Sequence, residues 1–196
     1  MLPEALQVIK RVTDTFNTLG IDYFVGGSVA SSLHGIFRAT QDIDFISTVR
    51  EEHIPRLVAA LQDDFYVDGD MMLEVVREHS SFNVIHLPTM IKVDVFIAPP
   101  SSWREQEWSR RRLEDVGMAD ETTPIFVASA EDMILQKLLW YRMTGEQSDR
   151  QWGDVQGMLK VQGDALDFGY LHRWADEIGV ADLLSRALDD AGLAGR

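Results

Sequence analysis

Cysteine is missing altogether from this 196-residue sequence. Disulfide scaffolds, thiolate zinc sites and cysteine nucleophiles are therefore excluded. Basic charge is scarce: 18 Lys and Arg face 32 Asp and Glu, a formal net charge of −14. A surface of that sign repels phosphate backbones, which argues against broad non-specific nucleic-acid binding but leaves room for a small basic pocket. No apolar run approaches the length of a membrane span. The start, Met1-Leu2-Pro3-Glu4, lacks the basic and apolar segments of a secretory signal, so a cytoplasmic location and no membrane partner are expected. Repeats, low-complexity tracts and Pro/Ser-rich linkers are also lacking. What remains is ordinary: 45% hydrophobic and 26% charged residues describe a folded chain rather than a disordered one. A chain of this length can bury a sizeable core without disulfides or structural metal.

The periodicity changes along the chain. Leu6, Ile9, Val12, Phe16 and Leu19 recur at helical spacing, and Gly20 stops that helix. Tyr23-Phe24-Val25 reads as a buried strand running into Gly26-Gly27, after which Ser28 can cap a short helix to Leu33. Asp42-Ile43-Asp44-Phe45-Ile46 alternates at period two. Helices are expected around 51–61 and 71–78. Residues 82–87 and 91–97 read as an antiparallel hairpin turning at Pro88-Thr89-Met90, and 125–128 reads as one more strand. From Ser129 the pattern is helical to the end, beginning with a near capping box, Ser129 to Asp132. The expected fold class is α+β: a catalytic core over 1–128 with a mixed sheet flanked by helices, then a helical region over 129–196.

Three acidic residues stand out on the core strands. Asp42 and Asp44 share a strand face, with Cα atoms about 7 Å apart. Paired carboxylates resist desolvation unless water or a cation neutralises them. Asp94, between Val93 and Val95, is equally out of place in a buried strand. If the two strands are neighbours, the three carboxylates converge, and an oxygen-only cluster of that kind suits Mg²⁺ together with substrate phosphates. Gly26-Gly27-Ser28 between strand and helix offers backbone amides to a phosphate. Taken singly, the Gly-Gly is more often just a turn and the D-x-D more often a solvated face, and Asp94 alone could sit on an exposed face of the sheet. Their order is more specific: strand, Gly-Gly-Ser, helix, thirteen residues between Ser28 and Asp42, D-x-D, then an apolar-Asp-apolar strand.

That composite, Gly27-Ser28, Asp42-Ile43-Asp44 and Val93-Asp94-Val95, resembles the nucleotidyltransferase superfamily with the DNA polymerase beta-like core. The resemblance implies a mixed sheet, two Mg²⁺ ions held by Asp42, Asp44 and Asp94, and a nucleoside triphosphate such as ATP as donor. It also implies transfer of a nucleoside monophosphate to an acceptor with release of pyrophosphate, the third carboxylate helping to activate the acceptor. Gly27 and Ser28 would cradle the donor's phosphates. The short chain and helical tail are similar to minimal bacterial members, including antibiotic nucleotidyltransferases and nucleotidyltransferase-like toxins of type IV toxin–antitoxin systems. In the toxin-like members a later lysine, arginine and aspartate belong to the motif set, and Lys137, Arg150 and Asp154 are looser counterparts here. An antitoxin or a second copy of the chain are partners this leaves open.

Lys137 falls inside the apolar run Met133 to Trp140. It either meets a triphosphate or snorkels to solvent from a helix edge. Arg38, before Asp42, is either a phosphate contact or an ordinary loop arginine. Asp68-Gly69-Asp70 fits the middle of a calcium loop but has Tyr66 and Val75 in ligand positions, so a solvated turn is expected. The five histidines lack paired zinc spacing. Arg110-Arg111-Arg112 reads as a solvated face or an acceptor contact. The tryptophans read as packing residues. No motif specifies the acceptor: a small molecule, an RNA end or a protein side chain all fit. The rival function is a catalytically silent nucleotide-binding or toxin–antitoxin interaction protein of the same fold.

Overall fold

The computed structural model describes residues 3–37, 40, 42–97, 101–117 and 122–196. Its first element is α1 (Pro3–Leu19), whose Val8, Ile9, Val12 and Phe16 form a buried stripe. It is followed by β1 (Tyr23–Val25), α2 (Gly27–His34), β2 (Asp42–Ser47), a 3-10 turn (Glu51–His53) and α3 (Ile54–Leu61). Next come β3 (Phe65–Tyr66), α4 (Gly69–Arg77), β4 (Ser81–His86) and β5 (Ile91–Ile97). The chain continues through α5 (Ser102–Arg110), β6 (Arg112–Asp115) and β7 (Pro124–Val127). The C-terminal part is helical: α6 (Ala130–Met143), α7 (Asp149–Gln162), a 3-10 turn (Gly163–Ala165), α8 (Phe168–Glu177) and α9 (Ala181–Asp190).

Among the described residues the strands form one mixed sheet of seven, in the order β3-β4-β5-β2-β1-β7-β6. The β4–β5 hairpin is antiparallel, as its turn residues imply, with Val84 opposite Val93. β2 runs antiparallel to β1 but parallel to β5, the connection between them carrying α3, β3, α4 and β4. β1 is also parallel to β7. The fold is α+β, as the sequence patterning implies.

The chain divides into two compact units. One comprises Met1–Val29 with Ala39–Val127, the other Ala30–Arg38 with Ala128–Arg196.

In the first unit, the sheet's two faces differ because side chains alternate along each strand. Ile43, Phe45, Val93 and Val95 are at most 1% exposed. Phe16 of α1 packs edge-on to Phe45 with ring centroids 5.6 Å apart, and Tyr23 meets Phe45 at 5.7 Å. The opposite face carries the half-exposed residues of β2 and β5. Near β1 it is covered by α5, whose Trp108 sits edge-on to Phe24 at 5.0 Å. The Arg110-Arg111-Arg112 run belongs to this packing at Arg111, whose guanidinium lies over the rings of Trp108 and Phe126 and reaches Asp22 at 3.3 Å.

The second unit is built around α6. Ser129 caps it by accepting from the Asp132 amide at 3.2 Å and donating to Asp132 Oδ2 at 2.6 Å. Tyr170 of α8 donates to the other oxygen of the same buried carboxylate. α7 and α8 begin the same way, with Ser148 and Asp167 each accepting from a first-turn amide that would otherwise be orphaned. The end of α2 is held here as well: His34 Nε2 lies 2.6 Å from the Ala128 carbonyl, and Gln162 donates to the His34 carbonyl.

The candidate metal and phosphate site

β2 and β5 lie side by side in parallel, and their register sets Asp44 beside Asp94 and Asp42 beside Lys92. Neighbours in register project to the same face. The two strands therefore bring Asp42, Asp44 and Asp94 onto one face, the face away from α1. Asp94 is the more enclosed, with a side chain 18% exposed against 48% for Asp42. Asn83 of β4 stands opposite Asp94 on its other side.

The glycine turn closes on the same carboxylates. The Gly26 amide donates to the Asp44 carbonyl at 2.9 Å, extending the β1–β2 pairing by one rung. Gly27 then opens α2 with φ +56°. A Cβ at Gly27 would come within 1.7 Å of Asp44 Oδ2 and 2.5 Å of its Cγ. The Asp44 carboxylate thus occupies the space a side chain at 27 would take, and only glycine admits both the backbone angle and the approach. Ser28 is buried in the first turn of α2.

Lys92 is a member of this site that the sequence motifs do not single out. Its ammonium donates to Asp94 Oδ2 at 2.7 Å and lies 3.9 Å from Asp42 Oδ1. The hydrogen bond with Asp94 raises its pKa above the ordinary lysine value, and the charges of Asp94, Asp42 and Asp44 add to the effect against a modest loss of solvent. All three carboxylates therefore act on one cation. The signal is present in the sequence: Lys92 is two residues before Asp94 on an alternating strand, so it must share that residue's face.

The donor chemistry fits a hard divalent cation, being all oxygen and open to water on one side. Among the described residues no group of three His, Cys, Asp or Glu side chains has the spacing of a formed metal centre. Among the described residues Lys92 places a cation between Asp42 and Asp94. Three of the other histidines are engaged elsewhere: His53 Nδ1 accepts from the Arg50 amide, His86 Nδ1 meets Thr89 Oγ1, and His172 meets the Arg196 carbonyl. Asp68 caps α4 by accepting from the Met71 amide at 3.0 Å, which disposes of the calcium-loop reading.

Lys137 lies in the second unit, on α6, and is 1% exposed. Its ammonium pairs with Asp154 Oδ2 of α7 at 2.8 Å. The charge that looked out of place in an apolar helix thus has a carboxylate partner 17 residues downstream. Asp154 also lines a cavity of about 360 Å³ within this unit, together with Ser31, Phe37, Asp149 and Arg150. The looser motif residues Arg150 and Asp154 therefore share one concavity. Arg38 lies outside the described residues.

Solved structures whose names mark them as nucleotidyltransferase-like, or as an antibiotic-resistance factor, share this chain's fold. An antigenic nucleotidyltransferase-like protein from Paracoccidioides brasiliensis superimposes with a TM-score of 0.53 at 16% identity, covering 95% of this chain and 93% of that one. The antibiotic-resistance factor ANT(2″)-Ia gives 0.55 at 13% identity in its solution structure, covering 97% and 96% of the two chains. In its complex with adenylyl-2″-tobramycin it gives 0.57 at 12% identity, covering 90% and 97%. At such identities the likeness is one of fold. No curated protein matches by sequence. Residues 16–192 match the family model described as nucleotidyl transferase AbiEii toxin, type IV TA system. The chain belongs to that nucleotidyltransferase family. Among the described residues no helix is long and apolar enough to cross a membrane.

Proposed function

We propose that this protein transfers a nucleoside monophosphate from a nucleoside triphosphate to an acceptor hydroxyl or phosphate, releasing pyrophosphate, with Asp42, Asp44 and Asp94 holding Mg²⁺. The observation that supports it is the in-register pair Asp44–Asp94, with Asp42 on the same face and Gly27 pressed against Asp44. A divalent ion bound there would neutralise the triphosphate and the charge that develops on its attacking and leaving oxygens. The chain's own residues do the rest. Gly27, lacking a Cβ, lets the Asp44 carboxylate lie against the turn before α2, and the α2 N-terminus favours the donor's negative charge. Asp94, more enclosed than Asp42, takes the acceptor's proton as that oxygen attacks the α-phosphorus. The bond between that phosphorus and the bridging oxygen breaks, and the electron pair leaves with pyrophosphate.

The family name makes an antitoxin the protein partner we propose. The acceptor is the part of the reaction to be found by experiment. Incubation with α-labelled ATP, GTP, CTP or UTP, Mg²⁺ and cell lysate should label one class of molecule. Asp42→Asn should abolish that labelling. It should also abolish Mg²⁺-dependent stabilisation by the nucleotide, which amounts to about 2.7 kcal/mol at a hundredfold excess over Kd. A variant that binds and labels like the parent would overturn the metal role. Stabilisation of the parent by nucleotide without any labelled product would favour a silent binding protein.

A further inference from the structure

We propose that Lys92 is an internal counterion that holds the acidic face together in the metal-free protein and is displaced when the divalent ion binds. Lys92 is therefore a positioning residue that sets cation affinity. This rests on the reading of Asp42, Asp44 and Asp94 as a metal centre. Three carboxylates on adjacent register positions repel one another, and no amount of packing on the far side of the sheet removes that repulsion. The ammonium at 2.7 Å from Asp94 and 3.9 Å from Asp42 relieves it. Asn83, the neighbour on β4, is neutral and cannot do so.

Lys92 is also suited to leave. Its side chain is 42% exposed, on a flexible four-carbon stem, so the ammonium can swing to water with its hydration largely restored. A divalent ion carries twice its charge and can accept several carboxylate oxygens at once, which a single ammonium with three donors cannot match. The lysine keeps the face assembled and charged without metal, and it weakens metal binding by having to be expelled.

Mn²⁺ is the probe, with free ion measured by electron paramagnetic resonance on the full-length protein. Four proteins are compared: the parent, Lys92→Met, Lys92→Arg and Asp44→Asn. Removing the ammonium should tighten Mn²⁺ binding by at least about fivefold, the effect of one unit charge at roughly 4 Å even in water. Lys92→Arg should bind close to the parent. Lys92→Met should melt lower than the parent without metal and gain more on Mn²⁺ saturation. Equal or weaker Mn²⁺ binding by Lys92→Met overturns the proposal, because a merely structural lysine predicts that outcome. Should Lys92→Met be unfolded without metal, Lys92→Gln is measured in its place. Folding of either variant only with Mn²⁺ supports the proposal, and failure of both to fold with Mn²⁺ overturns it. If Asp44→Asn binds Mn²⁺ like the parent, the metal centre itself is wrong and the counterion falls with it. If Asp44→Asn loses the ion while Lys92→Met is unchanged, only the role of Lys92 fails.

Discussion

Gly27→Ala tests how the turn and the acidic strand depend on each other. Two costs are built into the position. A residue with a Cβ at φ +56° sits in the left-handed region, at about 1–2 kcal/mol. The added methyl also meets Asp44 Oδ2 at 1.7 Å and the Asp44 Cβ at 2.9 Å. Rotation of the Asp44 side chain off its rotamer relieves the first contact at about 0.5–1.5 kcal/mol, and backbone movement must relieve the second. The total is on the order of 2–3 kcal/mol, or roughly 5–10 °C in Tm for a chain of this size. Gly20→Ala is the control, since Gly20 has φ +69° with nothing within 4 Å of where its methyl would lie, and so carries the backbone strain alone. Urea denaturation of both variants, and of Gly27→Ala combined with Asp44→Ala, separates the terms. Asp44→Ala removes the two nearest atoms, so the double variant should cost about 0.5–1.5 kcal/mol less than the sum of the singles. Mn²⁺ affinity should fall with Gly27→Ala, because the displaced group is a carboxylate of the acidic face. Equal losses for Gly20→Ala and Gly27→Ala, with no coupling to Asp44, would refute the close approach.

The Lys137–Asp154 pair should behave as a buried ion pair. Lys137→Met or Asp154→Leu alone should cost about 3–5 kcal/mol in urea denaturation, and the double replacement much less, because each single change breaks the pair while leaving its other charge buried. A double variant as unstable as the worse single would contradict this. Asp115 Oδ1 accepts from the Thr123 amide at 2.7 Å and the Gly117 amide at 3.0 Å, and these bonds hold its pKa below the ordinary value. A lowered carboxyl pKa contributes stability above the unfolded-state value and loses it as the pH falls through the folded one. The Thr123 amide proton shift should therefore titrate with a midpoint below about 3.9. A midpoint at or above that value would mean the two amides do not bond the carboxylate in solution.

The elements that position the acidic face are legible in the sequence because strong local patterns specify them. β2 and β5 alternate without interruption, Gly26-Gly27 punctuates β1, and Ser129 with Asp132 announces α6. The pairing of β2 with β5 is only conditional at that level, since no local pattern says which strand lies beside which. β3, α5 and β6 escape for different physical reasons. β3 is two residues long. α5, Ser-Trp-Arg-Glu-Gln-Glu-Trp-Ser-Arg, has no apolar stripe and buries only Trp103 and Glu107, so its helical state is decided by packing against β1. β6 leaves Leu113 62% exposed at the sheet edge, so its alternation does not point to a core. Lys137 is visible as an anomaly, but its partner comes from the neighbouring helix, which periodicity does not reveal. Lys92 escapes because a lysine on a half-exposed strand face attracts no notice until its neighbours are known to be acidic.

The parallel union of β2 with β5 has a consequence for synthesis. Asp44 and Asp94 are register partners although fifty residues separate them, and everything between them folds as an excursion that must return to the strand it left. A nascent chain thus carries no assembled acidic face until Ile97 has emerged from the ribosome. A harmful activity seated on that face would be withheld from the growing polypeptide by topology alone, before any other molecule has to restrain it.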